Sequence, residues 1–135
     1  MNVIVDTCVW SRFFRRGNAE RDLVAAELKR IIAADAVQMI GSIRQELLSG
    51  VGLPERYEHL REYLRFFPNL QQDEEDDERA ADYYNVCRRH GVQGGDTDLL
   101  ICALAVRHGF KVYSTDNDFD SYAKYVPVKL HKPRV

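Results

Sequence analysis

Apolar runs alternate with amphipathic stretches along the whole chain. Val3-Ile4-Val5 contains no polar position, which is typical of a strand buried on both faces. Similar runs predict further strands at 37–40, 111–115 and 126–130, and a weaker pattern predicts one at 69–72. Apolar residues at helical spacing predict helices at about 8–15, 19–34, 43–48, 54–66, 74–90, 98–108 and 119–124. This alternation predicts an α/β fold of three layers, α/β/α, with a central parallel sheet of four to five strands.

Polar residues mark where two of these helices are expected to begin. Asn18 follows a glycine and is the expected N-cap of the helix at 19–34. Ser42 and Gln45 have the spacing of a capping box, which places Glu46 in or near the first turn of the next helix.

The composition fits one domain without a membrane segment. The 135 residues are 45% hydrophobic, and no stretch nears the roughly 18 apolar residues that span a bilayer. No basic leader precedes an apolar run at the N-terminus, so we expect a cytoplasmic protein. The three cysteines include no C-x-x-C pair, and we expect small buried hydrophobic residues rather than a disulfide framework or a zinc site. The net charge of −2 argues against a protein that coats nucleic acid through a large basic face.

Four acidic residues are expected at one edge of the sheet. Asp6, Glu46 and Asp116 each come just after a predicted strand, and Asp98 opens a helix that precedes one. Ligands of open parallel sheets bind beyond the carboxyl ends of the strands. Clustered carboxylates repel one another unless a cation neutralises them, and Mg²⁺ and Mn²⁺ prefer oxygen ligands. The pattern therefore indicates a metal site suited to phosphoryl transfer.

Each acid also has a purely structural interpretation. An Asp after a strand is often a turn former or a helix N-cap, and Glu46 could simply favour the helix dipole. Asp96 and Asp98 compete for one N-cap position. We expect Asp96, or Thr97, to cap the helix and Asp98 to face the site.

The roles of the remaining acidic residues are predicted from the residues around them in the sequence. Asp118 is a candidate additional ligand, whereas Asp120 is expected at the surface. The acidic run at 73–78 is followed by bases and by Gly91 at the far end of the same helix, so it indicates a solvated helix start and not a metal site.

Four segments of the chain resemble PIN-domain ribonucleases, specifically the VapC-type toxins of toxin–antitoxin pairs. The segments are Val3-Ile4-Val5-Asp6-Thr7 with Trp10 following, Ser42-Ile43-Arg44-Gln45-Glu46-Leu47-Leu48-Ser49-Gly50, Asp98-Leu99-Leu100-Ile101-Cys102-Ala103 and Ser114-Thr115-Asp116-Asn117-Asp118-Phe119. Each is a weak pattern alone, but all four in this order in so short a chain are specific. The resemblance covers nearly the whole chain and implies that residues 1–135 form a single PIN domain.

The resemblance implies roles that the spacing does not show. In the family, four acids bind Mg²⁺ or Mn²⁺ and activate water for RNA cleavage. The matching positions are Asp6, Glu46, Asp98 and Asp116, with Asp118 as a frequent further acid, Asp96 as an occasional one, and Thr7 and Thr115 as small hydroxyl positions beside them.

The resemblance also implies partners. VapC-type toxins usually form homodimers and are wrapped by a cognate VapB-type antitoxin, which commonly places a basic side chain in the acidic pocket. An anionic pocket attracts a guanidinium group as it attracts a metal. The expected assembly is a toxin–antitoxin hetero-oligomer that reaches DNA only through the antitoxin, with no membrane partner.

An RNA substrate must reach an acidic site, so basic residues are expected nearby. Arg12, Arg15 and Arg16 follow the first strand and are the candidate RNA-binding residues, with ordinary helix surface as the alternative interpretation. The aromatic residues at 10–14 lie at helical spacing, which favours core packing or antitoxin contact over base stacking.

Other functions fit parts of the pattern. A phosphatase of the haloacid-dehalogenase type needs a second Asp two residues after Asp6, where Cys8 stands. A receiver-like signalling domain needs adjacent acids and a late Lys, but Lys111 begins its strand instead of ending it. The remaining alternative is a PIN-fold or receiver-like acidic-pocket domain that acts as a non-catalytic binding or regulatory module, and the complete set of acids disfavours it.

Overall fold

The computed structural model describes residues 1–15 and 21–133. Its elements in chain order are β1 (Val3–Val5), α1 (Thr7–Phe14), α2 (Leu23–Ala33), β2 (Val37–Gln38), α3 (Gly41–Leu48), α4 (Pro54–Leu64), α5 (Glu74–Arg89), α6 (Asp96–His108), β3 (Lys111–Tyr113), α7 (Asp118–Tyr122) and β4 (Lys129–Leu130). The strands form one parallel sheet in the order β2-β1-β3-β4, with helices packed against it. The predicted α/β fold with a central parallel sheet of four to five strands is confirmed, and the sheet of the described residues has four strands. The weak pattern at 69–72 forms only an isolated bridge between Asn69 and Met39.

The two central strands are short, apolar and in register. Val3 pairs with Val37 on one side and with Lys111 on the other, and Ile4 pairs with Val112. Helix α6 contacts both central strands. Its buried residues are Leu99, Ile101, Cys102, Ala103, Leu104 and Ala105, so it is the central buried helix that its apolar sequence predicts. This packing holds the carboxyl ends of β1 and β3 near the first turn of α6.

Helix α2 begins at Leu23 rather than near residue 19. Asp22 is its cap, because the Asp22 carboxylate accepts hydrogen bonds from the backbone N–H groups of Val24 and Ala25 at 2.9 and 3.3 Å. The predicted cap, Asn18, lies outside the described residues.

Helix α3 begins two residues earlier than a capping box at Ser42 requires. Its N-cap is Ile40, whose side chain has no atom that can accept a hydrogen bond, so the predicted box of Ser42 and Gln45 is wrong. The chain passes almost directly from β2 into the helix at Gly41. Glu46 consequently lies in the second turn of α3, where it is exposed.

Helix α6 is not capped by a side chain. Its N-cap is Gly95, and the predicted cap at Asp96 or Thr97 is wrong because both are already helical. A Cβ atom at Gly94 would lie 2.3 Å from a methyl carbon of Leu99, so the chain enters the helix too closely for a larger residue. Gly94 and Gly95 therefore precede the helix, and no aspartate side chain caps it.

The acidic run at 73–78 starts α5 as predicted, but one of its members is buried. Asp73 and Asp76 form a capping box, with each backbone N–H donating to the other's carboxylate. Arg107 of α6 donates two hydrogen bonds to the Asp76 carboxylate at 2.6 and 2.8 Å. Burial raises the pKa of Asp76, but the hydrogen bonds from Arg107 and Asp73 outweigh it and hold the pKa below its ordinary value. The pair therefore ties the start of α5 to α6.

Helix α5 is the longest helix of the described residues, with sixteen residues. Within the described ranges, no helix combines the length and the apolar character that crossing a membrane requires.

Candidate metal centre at the carboxyl edge of the sheet

Asp6 is held in place at the end of β1. Its backbone N–H donates to the carbonyl oxygen of Tyr113 at 2.9 Å, which extends the pairing of β1 and β3 by one residue. Its side chain caps α1, because Oδ1 accepts a hydrogen bond from the Thr7 N–H at 2.8 Å. The positive end of the helix dipole favours a carboxylate there. The strand and the helix together therefore fix the position of this carboxylate.

Ser114 joins two of the predicted acids. Its Oγ donates to Oδ2 of Asp6 at 2.8 Å and accepts a hydrogen bond from the backbone N–H of Asp116 at 3.0 Å. The Cys8 thiol lies 3.6 Å from the same Asp6 oxygen and 3.4 Å from Ser114 Oγ. Cys8 is therefore half-buried among polar groups, and the expectation of a small buried hydrophobic residue is wrong for it. The other two cysteines are buried as predicted.

Three carboxylates come together where β3 ends and α6 begins. One oxygen from each of Asp98, Asp116 and Asp118 lies within 4.8 Å of the other two. Asp116 accepts a hydrogen bond from the backbone N–H of Asp118 at 2.9 Å, which turns the chain from β3 into α7. Three carboxylates this close are a suitable ligand set for a hard divalent cation. We call these three residues the acidic cluster.

Asp98 is the least exposed member of the acidic cluster. Burial, with smaller contributions from the charges of Asp6, Asp116 and Asp118, raises its pKa to about 6, and a hydrogen bond from Tyr122 acts in the opposite direction. That hydrogen bond joins the Tyr122 hydroxyl to Oδ2 of Asp98 at 2.8 Å. Burial and this contact also raise the pKa of Tyr122, so the phenol keeps its proton and remains a donor. Asp98 is thus a carboxylate whose charge is costly until a cation offsets it.

Three predicted site acids lie outside the acidic cluster. Asp6 is linked to it through Ser114, which bonds to both Asp6 and the Asp116 N–H. Glu46 lines a neighbouring cavity of about 410 Å³, together with Thr7, Ser42, Gln45, Ser49 and Thr97. Thr7 follows Asp6 and Thr97 precedes Asp98 in the chain, so this cavity adjoins the acids. Asp96 lines a different cavity of about 320 Å³ between α5 and α6.

The candidate RNA-binding arginines differ in their surroundings. Arg12 donates to the carboxylate of Asp22 at 3.0 Å, so its charge is already paired. Arg15 is exposed, and Arg16 lies outside the described residues.

The sequence analysis missed the side chains that hold the acids in place. Ser114 belongs to the motif that contains Asp116, so its position before an acid was a usable signal. Tyr122 is 24 residues from Asp98, and no local pattern marks their contact. Thr115, expected as a hydroxyl position beside the acids, is exposed.

Comparison with known proteins agrees with this geometry. Residues 3–125 match the PIN domain family. Over 126 residues the chain is 33% identical to a VapC ribonuclease of Mycobacterium bovis, covering 90% of this chain and 92% of the relative. The chain belongs to the VapC group of the PIN-domain family. The same identity and coverage relate this VapC-family chain to ribonuclease VapC11 of Mycobacterium tuberculosis.

Solved structures share the fold of this VapC-family chain. A FitAcB structure from Neisseria gonorrhoeae superposes with a TM-score of 0.77 at 24% identity and covers 97% of each chain. Mycobacterium tuberculosis VapC20, described as a toxin that cleaves the sarcin–ricin loop, superposes with a TM-score of 0.67 at 20% identity, covering 95% of this chain and 99% of VapC20. At these identities the structures establish the fold of the family member and not its substrate.

Proposed function

We propose that this chain is a metal-dependent endoribonuclease that acts as the toxin of a type II toxin–antitoxin module. The observation that carries the proposal is the acidic cluster, whose three carboxylates lie within 4.8 Å of one another in a chain that is 33% identical to a VapC ribonuclease. The substrate is RNA, and the bond that breaks is a phosphodiester. We also propose a cytoplasmic location, where a toxin of this kind meets cellular RNA.

The residues at the site fit Mg²⁺ or Mn²⁺. The acidic cluster offers carboxylate oxygens, which hard divalent cations prefer, and it offers neither thiolate nor imidazole. Asp98, Asp116 and Asp118 are the proposed ligands, with Asp6 and Glu46 completing the site from either side. A bound ion of this type supplies a Lewis acid and an activated water, which is the chemistry that phosphodiester hydrolysis needs.

The surrounding side chains position the acids. Tyr122 donates a hydrogen bond to Oδ2 of Asp98. Ser114 donates to Oδ2 of Asp6, whose Oδ1 accepts from the Thr7 N–H. Because these donors fix the carboxylates before substrate arrives, little reorganisation is needed during the reaction. Tyr122 and Ser114 are therefore positioning residues in the proposed mechanism.

Cleavage of RNA by purified protein tests the proposal. We expect Mg²⁺-dependent cutting of RNA, and a fall of roughly 100-fold or more in the Asp98→Asn and Asp6→Asn variants. Asp120→Asn is the matched control, because Asp120 is exposed and pairs with Lys132 rather than with the acids. Equal activity of all four proteins would contradict the proposed mechanism. A parent that binds RNA without cutting it would support the non-catalytic alternative.

We also propose that the partner is a VapB-type antitoxin and that the toxin forms a homodimer, with DNA bound only through the antitoxin. Two related solved structures are described as bound to DNA: VapBC2 of Rickettsia felis with a fragment from its promoter, and FitAB with an IR36 fragment. The negative charge of the acidic cluster attracts a guanidinium group of an antitoxin as it attracts a metal cation.

An exposed aromatic cluster is the proposed antitoxin contact. Phe14 and Phe66 pack on Tyr63 at centroid distances of 5.7 and 6.5 Å, and Phe66 is 79% exposed. Trp10 beneath them is fully buried. Exposed aromatic side chains on a rigid base are typical of protein interfaces. We expect Phe66→Ser to keep RNA cleavage and to weaken co-purification with the antitoxin, whereas unchanged co-purification would place the antitoxin elsewhere.

A further inference from the structure

The cavity beside Glu46 has the size and lining of a small-ligand site. Its volume of about 410 Å³ lies within the roughly 300–1,000 Å³ that is usual for such sites. The described residues that line it are all polar: four carry hydroxyls, Gln45 carries an amide and Glu46 carries a carboxylate. Neither a basic nor an aromatic side chain is among them. This lining suits a neutral ligand with many hydrogen-bonding groups and does not suit a phosphate.

One face of α3 supplies most of the lining. Ser42, Gln45, Glu46 and Ser49 are spaced so that they share one side of the helix. The buried residues Ile43 and Leu47 turn the other side of α3 toward the core. The packing of the apolar side therefore fixes the polar side toward the cavity.

Two lining hydroxyls lack protein partners. Thr7 Oγ1 and Ser42 Oγ are buried, and neither makes a hydrogen bond with any described residue. Buried hydroxyls in native proteins normally have a partner. Both oxygens are covered from solvent, so a ligand in the cavity can supply that partner once the two side chains rotate toward it.

We propose that this cavity holds the nucleoside next to the phosphate that is cleaved, an inference that rests on the proposed ribonuclease function. Thr7 and Thr97 are chain neighbours of Asp6 and Asp98, so a nucleoside here places its phosphate at the acids. The hydroxyl groups contact the ribose, whose 2′-OH both donates and accepts. The Gln45 amide is exposed in the cavity and contacts the base edge. The cavity thus selects RNA over DNA and contributes base preference.

Gln45→Leu tests the proposed base contact, with Gln72→Leu as the matched control. Leucine keeps the approximate size of the side chain and removes its hydrogen bonds. Gln72 is exposed and bonds to Asp77, next to Asp76, which binds Arg107 in the last turn of α6, whereas the cavity adjoins the first turn of α6 at Thr97. A randomised RNA library is cut and the product ends are sequenced, and KM is measured on one preferred oligoribonucleotide. We expect Gln45→Leu to lose the base preference at one position beside the cut and to raise KM on the order of tenfold, with no such change in the control.

Binding to cleavage-resistant oligonucleotides separates this inference from the proposed function. A phosphorothioate oligoribonucleotide and its deoxyribose counterpart are compared by fluorescence anisotropy, and we expect the parent to prefer the ribose form and Gln45→Leu to bind it more weakly. If the parent cuts RNA but Gln45→Leu matches Gln72→Leu in preference, KM and binding, the nucleoside site is wrong and the proposed function stands. If the parent cuts no RNA but binds the ribose form through Gln45, the proposed function is wrong and the nucleoside site stands. If it neither cuts RNA nor distinguishes ribose from deoxyribose, both are wrong.

Discussion

The Tyr122 hydroxyl donates a hydrogen bond of 2.8 Å to Oδ2 of Asp98. Tyr122 is 1% exposed, so this hydrogen bond is made from inside the core. The buried ring packs edge-on against Phe119 in α7. The geometry of the acidic cluster is therefore tied to the packing of α7.

Removing this hydroxyl tests its role. Tyr122→Phe keeps the ring and loses a hydrogen bond that lowers the pKa of Asp98, so that pKa rises above about 6. We expect activity to fall about tenfold and the acidic limb of the pH profile of kcat/KM to move to higher pH. Tyr125→Phe is the control, because Tyr125 is 38% exposed and stacks on His90. A loss of activity without movement of the limb would show that Tyr122 acts only through packing.

Neutralising Asp98 is expected to stabilise the metal-free protein. Its pKa is raised from 3.8 to about 6, so the folded state binds the proton more tightly than the unfolded state does. The resulting stability is complete below pH 3.8 and is lost as pH rises through about 6. At pH 7.5 without divalent cation, Asp98→Asn should therefore gain about 1 kcal/mol after allowance for solvent screening. Chemical denaturation measures this gain.

The same variant should respond less to metal. We expect Mg²⁺ to raise the melting temperature of the parent at pH 7.5, because an ion that binds only the folded protein stabilises it. This shift should shrink in Asp98→Asn, and in the parent it should shrink as pH falls below about 6, where Asp98 gains a proton. An equal Mg²⁺-induced rise in melting temperature in both proteins would show that Asp98 is not a metal ligand.

Asp118 and Glu46 are expected to differ as metal ligands. Asp118 lies in the acidic cluster, and Glu46 faces the adjoining cavity. Calorimetric titration with Mg²⁺ or Mn²⁺ should show a larger loss of affinity for Asp118→Asn than for Glu46→Gln, by about tenfold. The reverse order would mean that the ion sits nearer the cavity than the acidic cluster indicates.

Ser114 is expected to matter through the acids that it joins. Ser114→Ala removes a donor to Asp6 and an acceptor for the Asp116 N–H, so both carboxylates gain freedom. We expect kcat to fall about tenfold with KM nearly unchanged. Thr115→Ala is the neighbouring control, because Thr115 is exposed. Ser114→Thr, which keeps the hydroxyl, should recover part of kcat, and equal losses in Ala and Thr variants would argue against the hydrogen bonds.

Arg107 is expected to stabilise the fold away from the site. Arg107→Ala leaves the buried Asp76 carboxylate without its main donor, so we expect the melting temperature to fall by about 5–10 °C. The pKa of Asp76 is lower in the folded than in the unfolded protein. The stability that the Asp76 carboxylate contributes is therefore present at pH above the unfolded-state pKa and is lost as pH falls through the folded-state pKa. The difference between parent and variant should therefore narrow at low pH. Arg61→Ala, which breaks the exposed pair with Glu58, should change the melting temperature by about 1 °C.

Local sequence patterns predicted the secondary-structure elements. They did not predict contacts between residues that are far apart in the sequence. β1 is visible as an apolar run because it is buried on both faces, and Gly109 marks the end of α6 because it adopts a positive φ of 71° there. The capping box at Ser42 failed because spacing alone does not show where the backbone leaves β2. The acidic run at 73–78 hid a buried Asp76, since its partner Arg107 is 31 residues away.

The same limit applies to the site. The placement of Asp6 and Asp116 after strands brought them to one edge, as parallel topology requires. The position of Glu46 relative to Asp6 and Asp116 depends on the angle between α3 and the sheet. No local sequence pattern predicts that angle.

Two of the acids sit at helix starts: Asp6 caps α1, and Asp98 lies in the first turn of α6. The backbone N–H groups at these ends carry partial positive charge, which offsets part of the repulsion among the carboxylates before any ion arrives. A site built in this way would be formed before any ion binds. It would differ in this from a zinc finger, whose fold depends on its metal.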